Sequence, residues 1–243
     1  MEWFEAWFDT PYYHILYKNH DYREAEDFLT KLIAELQLPA HSKIIDLACG
    51  KGRHSVFLNK MGFDVLGLDL SAQSIKYDQQ YQNPSLQFRV HDMRNPIVGE
   101  KKDAVFNLFT SFGYFENEED DRKVFSSVQN ILKKNGYFVL DYLNQNYVRN
   151  TLVENSQIEK EGIVFNIHKK IEDNYIIKEI DFTDKGKDFH FFEKVKLHSP
   201  EKIKNFAEEA GFERIKIWGN YNLNDFDEEN SPRCINLFYR NDG

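Results

Sequence analysis

The sequence predicts an α/β fold built on a mostly parallel sheet, and three observations carry that reading. Between residues 43 and 141, five short apolar runs alternate with segments of helical period, the pattern of βαβ units. A glycine-containing turn, Ala48-Cys49-Gly50-Lys51-Gly52, separates the first run from a helix start. From about Gly162 the helices give way to consecutive extended runs, which predicts a small antiparallel β insertion before the helical mode resumes at Ser199.

The elements follow in order. Ala25, Phe28, Leu29, Leu32, Ile33 and Leu36 repeat as one face of an amphipathic helix that stops before Pro39. Lys43 to Leu47 is the first strand, and Arg53 to Met61 is a helix closed by Gly62. Phe63 to Leu68 is a second strand ended by Asp69, and Ser71 suits the N-cap of a helix through Tyr77. Leu86 to Val90 and Asp103 to Phe109 are the third and fourth strands. Val124, Val128, Ile131 and Leu132 mark a helix that Asn135-Gly136 ends before a fifth strand, Tyr137 to Asp141. Ile163 to Glu172, Tyr175 to Thr183 and Phe189 to His198 form a three-run meander, in which Phe189, Phe191, Val195 and Leu197 alternate toward one covered face. Ser199 and Pro200 open a last helix that Gly211 stops, and Arg214 to Trp218 and Cys234 to Tyr239 are the closing strands.

Composition narrows the function classes. The chain has 243 residues and a net charge of −9, with 21 Phe, 13 Tyr and 3 Trp. Its basic residues form only short pairs such as Lys101-Lys102 and Lys133-Lys134, so the counterion-releasing stripe of a nucleic-acid binder is missing and no nucleic acid is expected. Cys49 and Cys234 lie far apart without metal-ligand spacing to another Cys or His, so no metal is expected. The N-terminus lacks a basic then apolar targeting pattern, and no apolar run nears the roughly 20 residues of a membrane span. A cytoplasmic protein that does not enter membranes is the expectation.

The chemistry concentrates at the ends of the first strands. In Ile45-Asp46-Leu47-Ala48-Cys49-Gly50-Lys51-Gly52-Arg53-His54-Ser55 the glycines let backbone approach a ligand, and the helix N-terminus behind them offers free N–H groups. A dinucleotide fingerprint would want a third glycine where Ser55 stands, which disfavours a nicotinamide-dependent oxidoreductase. Asp69 ends the second strand, where a carboxylate accepts from both hydroxyls of a ribose. Asp92 and Met93 follow the third strand and offer an acceptor for an adenine amino group beside an apolar cover. Asp46 also has a plain role open to it, accepting backbone N–H groups of the turn, and His54 suits local packing better than proton transfer.

On these residues the chain resembles the class I S-adenosylmethionine-dependent methyltransferases, particularly bacterial small-molecule members with an Asp-Leu-Ala-Cys-Gly-x-Gly-Arg-His-Ser first motif. The resemblance covers about residues 20–150. It implies a Rossmann-like sheet of seven strands with helices on both faces and the last strand antiparallel. S-adenosyl-L-methionine is the implied cofactor. The stretch containing Asp46, Ala48, Gly50 and Gly52 would hold its methionine side, and Asp69 its ribose. Leu70, Asp92 and Met93 would hold its adenine, and Leu108 to Ser111 would line methionine and acceptor. Residues 1–152 and 199–243 would form the cofactor-binding domain, and 153–198 an inserted β-subdomain that shapes the acceptor pocket.

The implied reaction is methyl transfer to a small-molecule acceptor by in-line displacement. Tyr114, Asp141 and Tyr142 follow the fourth and fifth strands, where open α/β sheets bind ligands, and are the candidate proton acceptors. The aromatic N-terminus within residues 1–40, with Trp3, Phe4, Trp7, Phe8, Tyr12, Tyr13, Tyr17 and Tyr22, has two readings. Either it is a helical lid that brings Tyr13 to the cofactor, or it packs on the core or on a second subunit of a homodimer. Together with Phe106, Phe109, Phe112, Tyr114 and Phe115 it is expected to wall a dry acceptor site. A non-catalytic sensor or scaffold that binds the same cofactor is the remaining alternative.

Overall fold

The structure, a computed structural model, describes residues 2–17 and 22–241. The side chains of Glu5 and Tyr22 lie outside the described part, and with them the place expected of Tyr22 in the lid. Five parallel strands, β1 (Lys43–Leu47), β2 (Asp64–Asp69), β3 (Leu86–Val90), β4 (Lys102–Asn107) and β5 (Leu132–Leu143), form most of the main sheet. It is completed by β10 (Phe212–Trp218) and β11 (Arg233–Arg240) in the order β10-β11-β5-β4-β1-β2-β3. β11 runs antiparallel to both neighbours, so the seven-stranded sheet has one reversed strand. The order in which strands are added reverses between the parallel neighbours β1 and β4, which opens a crevice at their C-terminal ends.

Period-2 alternation sends successive side chains of each strand to opposite faces, and both faces are buried. Ile45, Leu47, Val105, Phe138 and Leu140 pack under α6 (Glu118–Ile131) and α8 (Pro200–Glu209). Ile44, Val65, Ala104, Phe106 and Val139 pack under α3 (Tyr22–Leu36), α4 (Arg53–Lys60) and α5 (Ala72–Asp78). The six apolar residues read from the α3 periodicity are all buried, and each large one contributes about 1.5–3 kcal/mol by leaving water. The acidic run at 118–121 enters α6, where Asn117 caps the Glu119 N–H and the carboxylates face the positive helix end.

The second sheet is an antiparallel meander of four strands, β6 (Asn155–Lys160), β7 (Ile163–Glu172), β8 (Tyr175–Asp184) and β9 (Lys187–Lys196). The expected three runs are β7 to β9. β6 is the addition, and its Asn-Ser-Gln-Ile-Glu-Lys sequence is a mostly exposed edge with no apolar alternation to announce it. All three hairpins turn on pairs with positive φ, Glu161-Gly162, Asp173-Asn174 and Lys185-Gly186, the conformation whose twist matches that of antiparallel strands. The fifth strand of the main sheet also begins earlier than expected, because Leu132 already pairs with Lys102 before a register shift.

The N-terminal helices α1 (Trp3–Phe8) and α2 (Pro11–Leu16) lie on the second sheet. Trp7 and Leu16 join Ile163, Phe165, Ile167, Ile180 and Phe182 in a separate apolar cluster. The second sheet is fastened to the main one at Lys196, whose N–H donates to the Gly113 carbonyl at 2.8 Å and whose carbonyl accepts from the Tyr142 hydroxyl. A short helix, α7 (Gln145–Asn150), links β5 to β6. Among the described residues no helix is long and apolar enough to cross a membrane.

Candidate functional site

The residues singled out in the sequence gather at the C-terminal ends of β1 to β5. Between β1 and α4 the chain adopts left-handed backbone at Ala48 (φ 62°), Gly50 (φ 55°) and Gly52 (φ 65°). At Gly52 a Cβ would lie 2.9 Å from the Phe88 ring, so only glycine fits there. Asp46 is buried and accepts from the Ser55 hydroxyl at 2.6 Å, so the serine in the third-glycine position locks the motif carboxylate. Burial pushes the Asp46 carboxyl up to about 6, with the Ser55 hydrogen bonds opposing and the Asp69 charge adding.

Asp69 ties strand to loop. Its two oxygens accept from the Gly50 N–H and the Ser71 N–H, both at 2.8 Å, and a carboxylate so held keeps lone pairs for further donors. Burial raises its pKa, against those backbone hydrogen bonds. Asp78, at the end of α5, is a carboxylate that sequence reading passed over. It is fully buried beside Gly52 and Phe88, and neither oxygen has a hydrogen-bond partner among the described residues. Burial and then the charges of Asp69 and Asp46 push it up to about 8. Three mutually repelling carboxyls around one glycine loop suit a ligand bearing positive charge. The fit to S-adenosylmethionine rests on that set, together with the open space at Gly50, where a Cβ would meet nothing within 4 Å.

Leu70 and Met93 are half-buried against the α6 side of the core. Asp92, beside Met93, is engaged by Arg94, whose Nε and Nη2 approach its oxygens at 3.0 and 2.6 Å. Burial pushes the Asp92 carboxyl up, but the Arg94 hydrogen bonds outweigh it and hold the group below the usual carboxylate range. Arg94 also pairs with Glu2 and lies over the Phe115 ring, so any adenine amino group would share Asp92 with it.

Beyond β4 the backbone turns left-handed twice in succession, at Phe109 (φ 58°) and Thr110 (φ 60°), next to buried Leu108 and half-buried Ser111. Such non-glycine positions persist only when their surroundings hold them. Asp141 does this from β5. Its Oδ2 accepts from the Phe109 N–H at 2.7 Å and from the Tyr221 hydroxyl at 3.1 Å, and its carbonyl accepts from the Thr110 N–H. Arg233 closes the cluster, donating to Asp141 Oδ1 at 2.8 Å and to the Thr110 hydroxyl at 2.7 Å. His54 stacks on Phe109 with centroids 4.9 Å apart, and burial followed by the Arg53 charge lowers its pKa to about 3, leaving it neutral.

The other two candidate proton acceptors are also occupied. The Tyr114 hydroxyl donates to the Thr110 carbonyl, and the Tyr142 hydroxyl, fully buried, donates to the Lys196 carbonyl. Burial pushes both phenols well above their usual value.

The aromatic surplus divides unevenly. Phe106, Phe112 and Phe115 are buried in the core, so of the five aromatics between 106 and 115 only Phe109 and Tyr114 remain half-exposed. The N-terminal aromatics split likewise. Tyr12 turns away to Phe182, Phe189 and the Asp184 carboxylate, whereas Tyr13 packs on Trp7, Phe8 and Tyr17. Trp3, Phe4 and Phe8 surround the Tyr114 ring. Burial, then the charges of Glu193 and Asp69, raise the Tyr13 pKa, so Tyr13 lies within electrostatic reach of both. Asp9 accepts from the Ser71 hydroxyl at 2.5 Å, tying the α1–α2 turn to the helix cap beside Asp69. Among the described residues no cluster of His, Cys, Asp and Glu is arranged to hold a metal.

Comparison with known proteins agrees with this geometry. A family model described as a methyltransferase domain matches residues 38–211. A putative methyltransferase of Bacillus subtilis is 38% identical over 119 residues, a match spanning 47% of each chain. A putative methyltransferase of a Geobacillus species is 23% identical over 249 residues, 98% of this chain and 97% of that one. The crystal structure of an S-adenosylmethionine-dependent methyltransferase from Clostridium acetobutylicum superposes with a TM-score of 0.80 at 20% identity, covering 95% of this chain and 96% of that one. Some matched proteins have names that state an acceptor, over 44–51% of this chain. They are a glycine/sarcosine N-methyltransferase, an amino-sugar nucleotide N,N-dimethyltransferase and a ubiquinone biosynthesis O-methyltransferase. The chain belongs to the class I S-adenosylmethionine-dependent methyltransferases.

Proposed function

We propose that the chain methylates a nitrogen of a small-molecule acceptor that arrives as a free amine. The observation carrying this reading is that Tyr114, Asp141 and Tyr142 are all committed to structural hydrogen bonds, and both phenols are shifted away from acting as bases. An amine brings its own lone pair and needs no base before attack, whereas a hydroxyl acceptor would require one. The names of a matched glycine/sarcosine N-methyltransferase and of a matched amino-sugar nucleotide N,N-dimethyltransferase describe N-methylation, which supports the same reading.

S-adenosylmethionine, when bound, supplies a methyl group already activated by positive sulfur. The work left to this chain is to bind, align and exclude water, which can account for most of a rate. Asp46, Ala48, Gly50 and Gly52 hold the methionine side, Asp69 the ribose, and Leu70, Asp92 and Met93 the adenine. Leu108 and Ser111 line the methyl end, and Tyr13 covers it. Asp141 and Arg233 hold the strained Phe109-Thr110 turn as a fixed wall, and Tyr114, packed among Trp3, Phe4 and Phe8, keeps that end dry. In this assignment Tyr114, Asp141 and Tyr142 are positioning residues, not proton acceptors.

Three measurements test the assignment. Matched primary amines and alcohols supplied to the protein with S-adenosylmethionine should give S-adenosylhomocysteine with the amines alone. Turnover of the alcohols would overturn the nitrogen reading, and failure with every acceptor despite cofactor binding would favour a sensor. Asp69→Ala removes hydrogen bonds to a charged group worth about 1.5–3 kcal/mol, so calorimetric titration should show S-adenosylmethionine binding weakened about 10- to 100-fold. Unchanged affinity would remove Asp69 from the site. Asp46, raised to about 6, is protonated in the free protein at acidic pH. A cationic ligand favours the ionised forms of both Asp46 and Asp78, the latter pushed up to about 8, so affinity should fall as pH drops through about 8 and again through about 6. Asp46→Asn should remove the lower step and keep the upper one, and a wild-type profile without the step near pH 6 would separate Asp46 from the ligand's positive charge.

A further inference from the structure

On the inner face of the second sheet, three apolar rows across β7 to β9 are interrupted by one charged row. Register places Phe165, Phe182 and Phe189 side by side across β7, β8 and β9, then Ile167, Ile180 and Phe191, and further along Ile171, Ile176 and Val195. Between these apolar rows lies Lys169, Lys178, Glu193, three charged side chains directly opposite one another. Two lysines facing each other across adjacent strands repel, which a sheet tolerates poorly unless something else meets them. Glu193 does not serve both. Its oxygens accept from the Tyr17 hydroxyl at 2.6 and 2.8 Å and from the Trp7 indole at 2.8 Å, and it pairs with Lys178 at 3.7 Å. The Lys169 ammonium has no hydrogen bond or ion pair among the described residues.

This row opens into a cavity of about 350 Å³ between the second sheet and the main domain. Lys169, Lys178 and Glu193 line one wall, and Tyr147, Val148, Thr151 and Leu152 of α7 and its exit line another. The third wall is Arg233, the residue whose guanidinium also donates to Thr110 and Asp141 at the strained turn. The cavity therefore adjoins the end of the site assigned to methyl transfer, and its lining carries three cationic side chains against one carboxylate. Lys178 is largely enclosed, with 14% of its side chain exposed, and burial lowers its pKa with Glu193 opposing and Lys169 adding. An anion between the two ammoniums would relieve both effects.

We propose that this cavity receives the methyl acceptor and grips it by an anionic group, a carboxylate or a phosphate, held between Lys169 and Lys178. The proposal rests on the methyltransferase reading of the adjoining site. It adds that the acceptor carries negative charge remote from its reacting atom. Lys169 is then a specificity-determining residue, because its charge has no structural partner to serve, while Glu193 and Tyr17 hold Lys178 in place.

The test uses the full chain saturated with S-adenosylhomocysteine. It is titrated with inorganic phosphate or acetate, against sodium chloride at equal ionic strength, while lysine acylation at Lys169 and Lys178 is read by mass spectrometry. At least one of the two anions should protect both lysines saturably where chloride does not. Protection by phosphate alone assigns a phosphate-bearing acceptor, and by acetate alone a carboxylate. Lys169→Ala should weaken the protection of Lys178 at least tenfold, and Lys169→Arg should retain it. Absence of protection by both anions, or equal protection in Lys169→Ala and wild type, overturns the proposal. Loss of S-adenosylhomocysteine binding in the wild-type protein would instead overturn the methyltransferase reading and leave the footprint standing.

Discussion

Arg233→Ala should destabilise the protein by about 3–5 kcal/mol, the usual cost of stripping the partner from a buried charge. Asp141 has no exposed side-chain surface and takes the guanidinium at 2.7 Å, so its carboxylate would be left with only the Phe109 N–H and the Tyr221 hydroxyl. The loss should appear as a lower urea midpoint at unchanged slope. The double variant Arg233→Met with Asp141→Leu should recover a large part of it, because a matched apolar pair leaves no orphan charge. The same double variant should methylate poorly, since the Phe109 N–H and the Thr110 hydroxyl would lose the side chains that fix this left-handed turn. A loss below about 1 kcal/mol in Arg233→Ala would mean that the pair is solvated, as exposed pairs are.

A loss of similar size, about 3–5 kcal/mol, is expected of Asp121→Ala. Asp121 and Lys196 meet at 2.7 Å with 0% and 7% of their side chains exposed, and His198 lies 3.3 Å from the same oxygen. Lys196 is also the residue that fastens the second sheet to Gly113 and Tyr142, so the damage should be local as well as global. Limited proteolysis should cut first within 153–198 in the variant, at denaturant concentrations where the wild-type protein resists. If cleavage instead begins in the main domain, the ion pair is not what couples the two sheets.

The two predictions concern residues that differ in how visible they were beforehand. Asp141 stood out because it ends a predicted strand, but its role did not. Proton acceptor and structural clamp are equally available to a carboxylate at a strand end, and only its partners decide between them. Those partners, Arg233 and Tyr221, are 92 and 80 residues away, with no local pattern to mark them. Arg94 was missed for a different reason: a basic residue two positions after Asp92 looks solvated until the chain folds it back onto that carboxylate. The row of Lys169, Lys178 and Glu193 had a usable signal, since each interrupts an otherwise apolar period-2 face. Recognising it required the register between strands, which depends on hairpin geometry. β6 carried no such signal, because an exposed edge strand needs no buried face.

What the sequence determined by itself was local and periodic. The βαβ alternation, the caps at Ser71 and Ser199, the glycine turn and the acid ending β2 follow from backbone preference and side-chain spacing, which act over a few residues. They were enough to specify a parallel βαβ sheet with a glycine loop at a strand end, whereas the seven strands and the one reversed strand came from the resemblance to the methyltransferase family. The tertiary structure alone decided which charges meet, which aromatics are core and which line a cavity, and whether a candidate base is free. Those outcomes depend on distance and burial between residues far apart in the chain, and burial determines both the pKa of a carboxyl and the cost of leaving it unpaired.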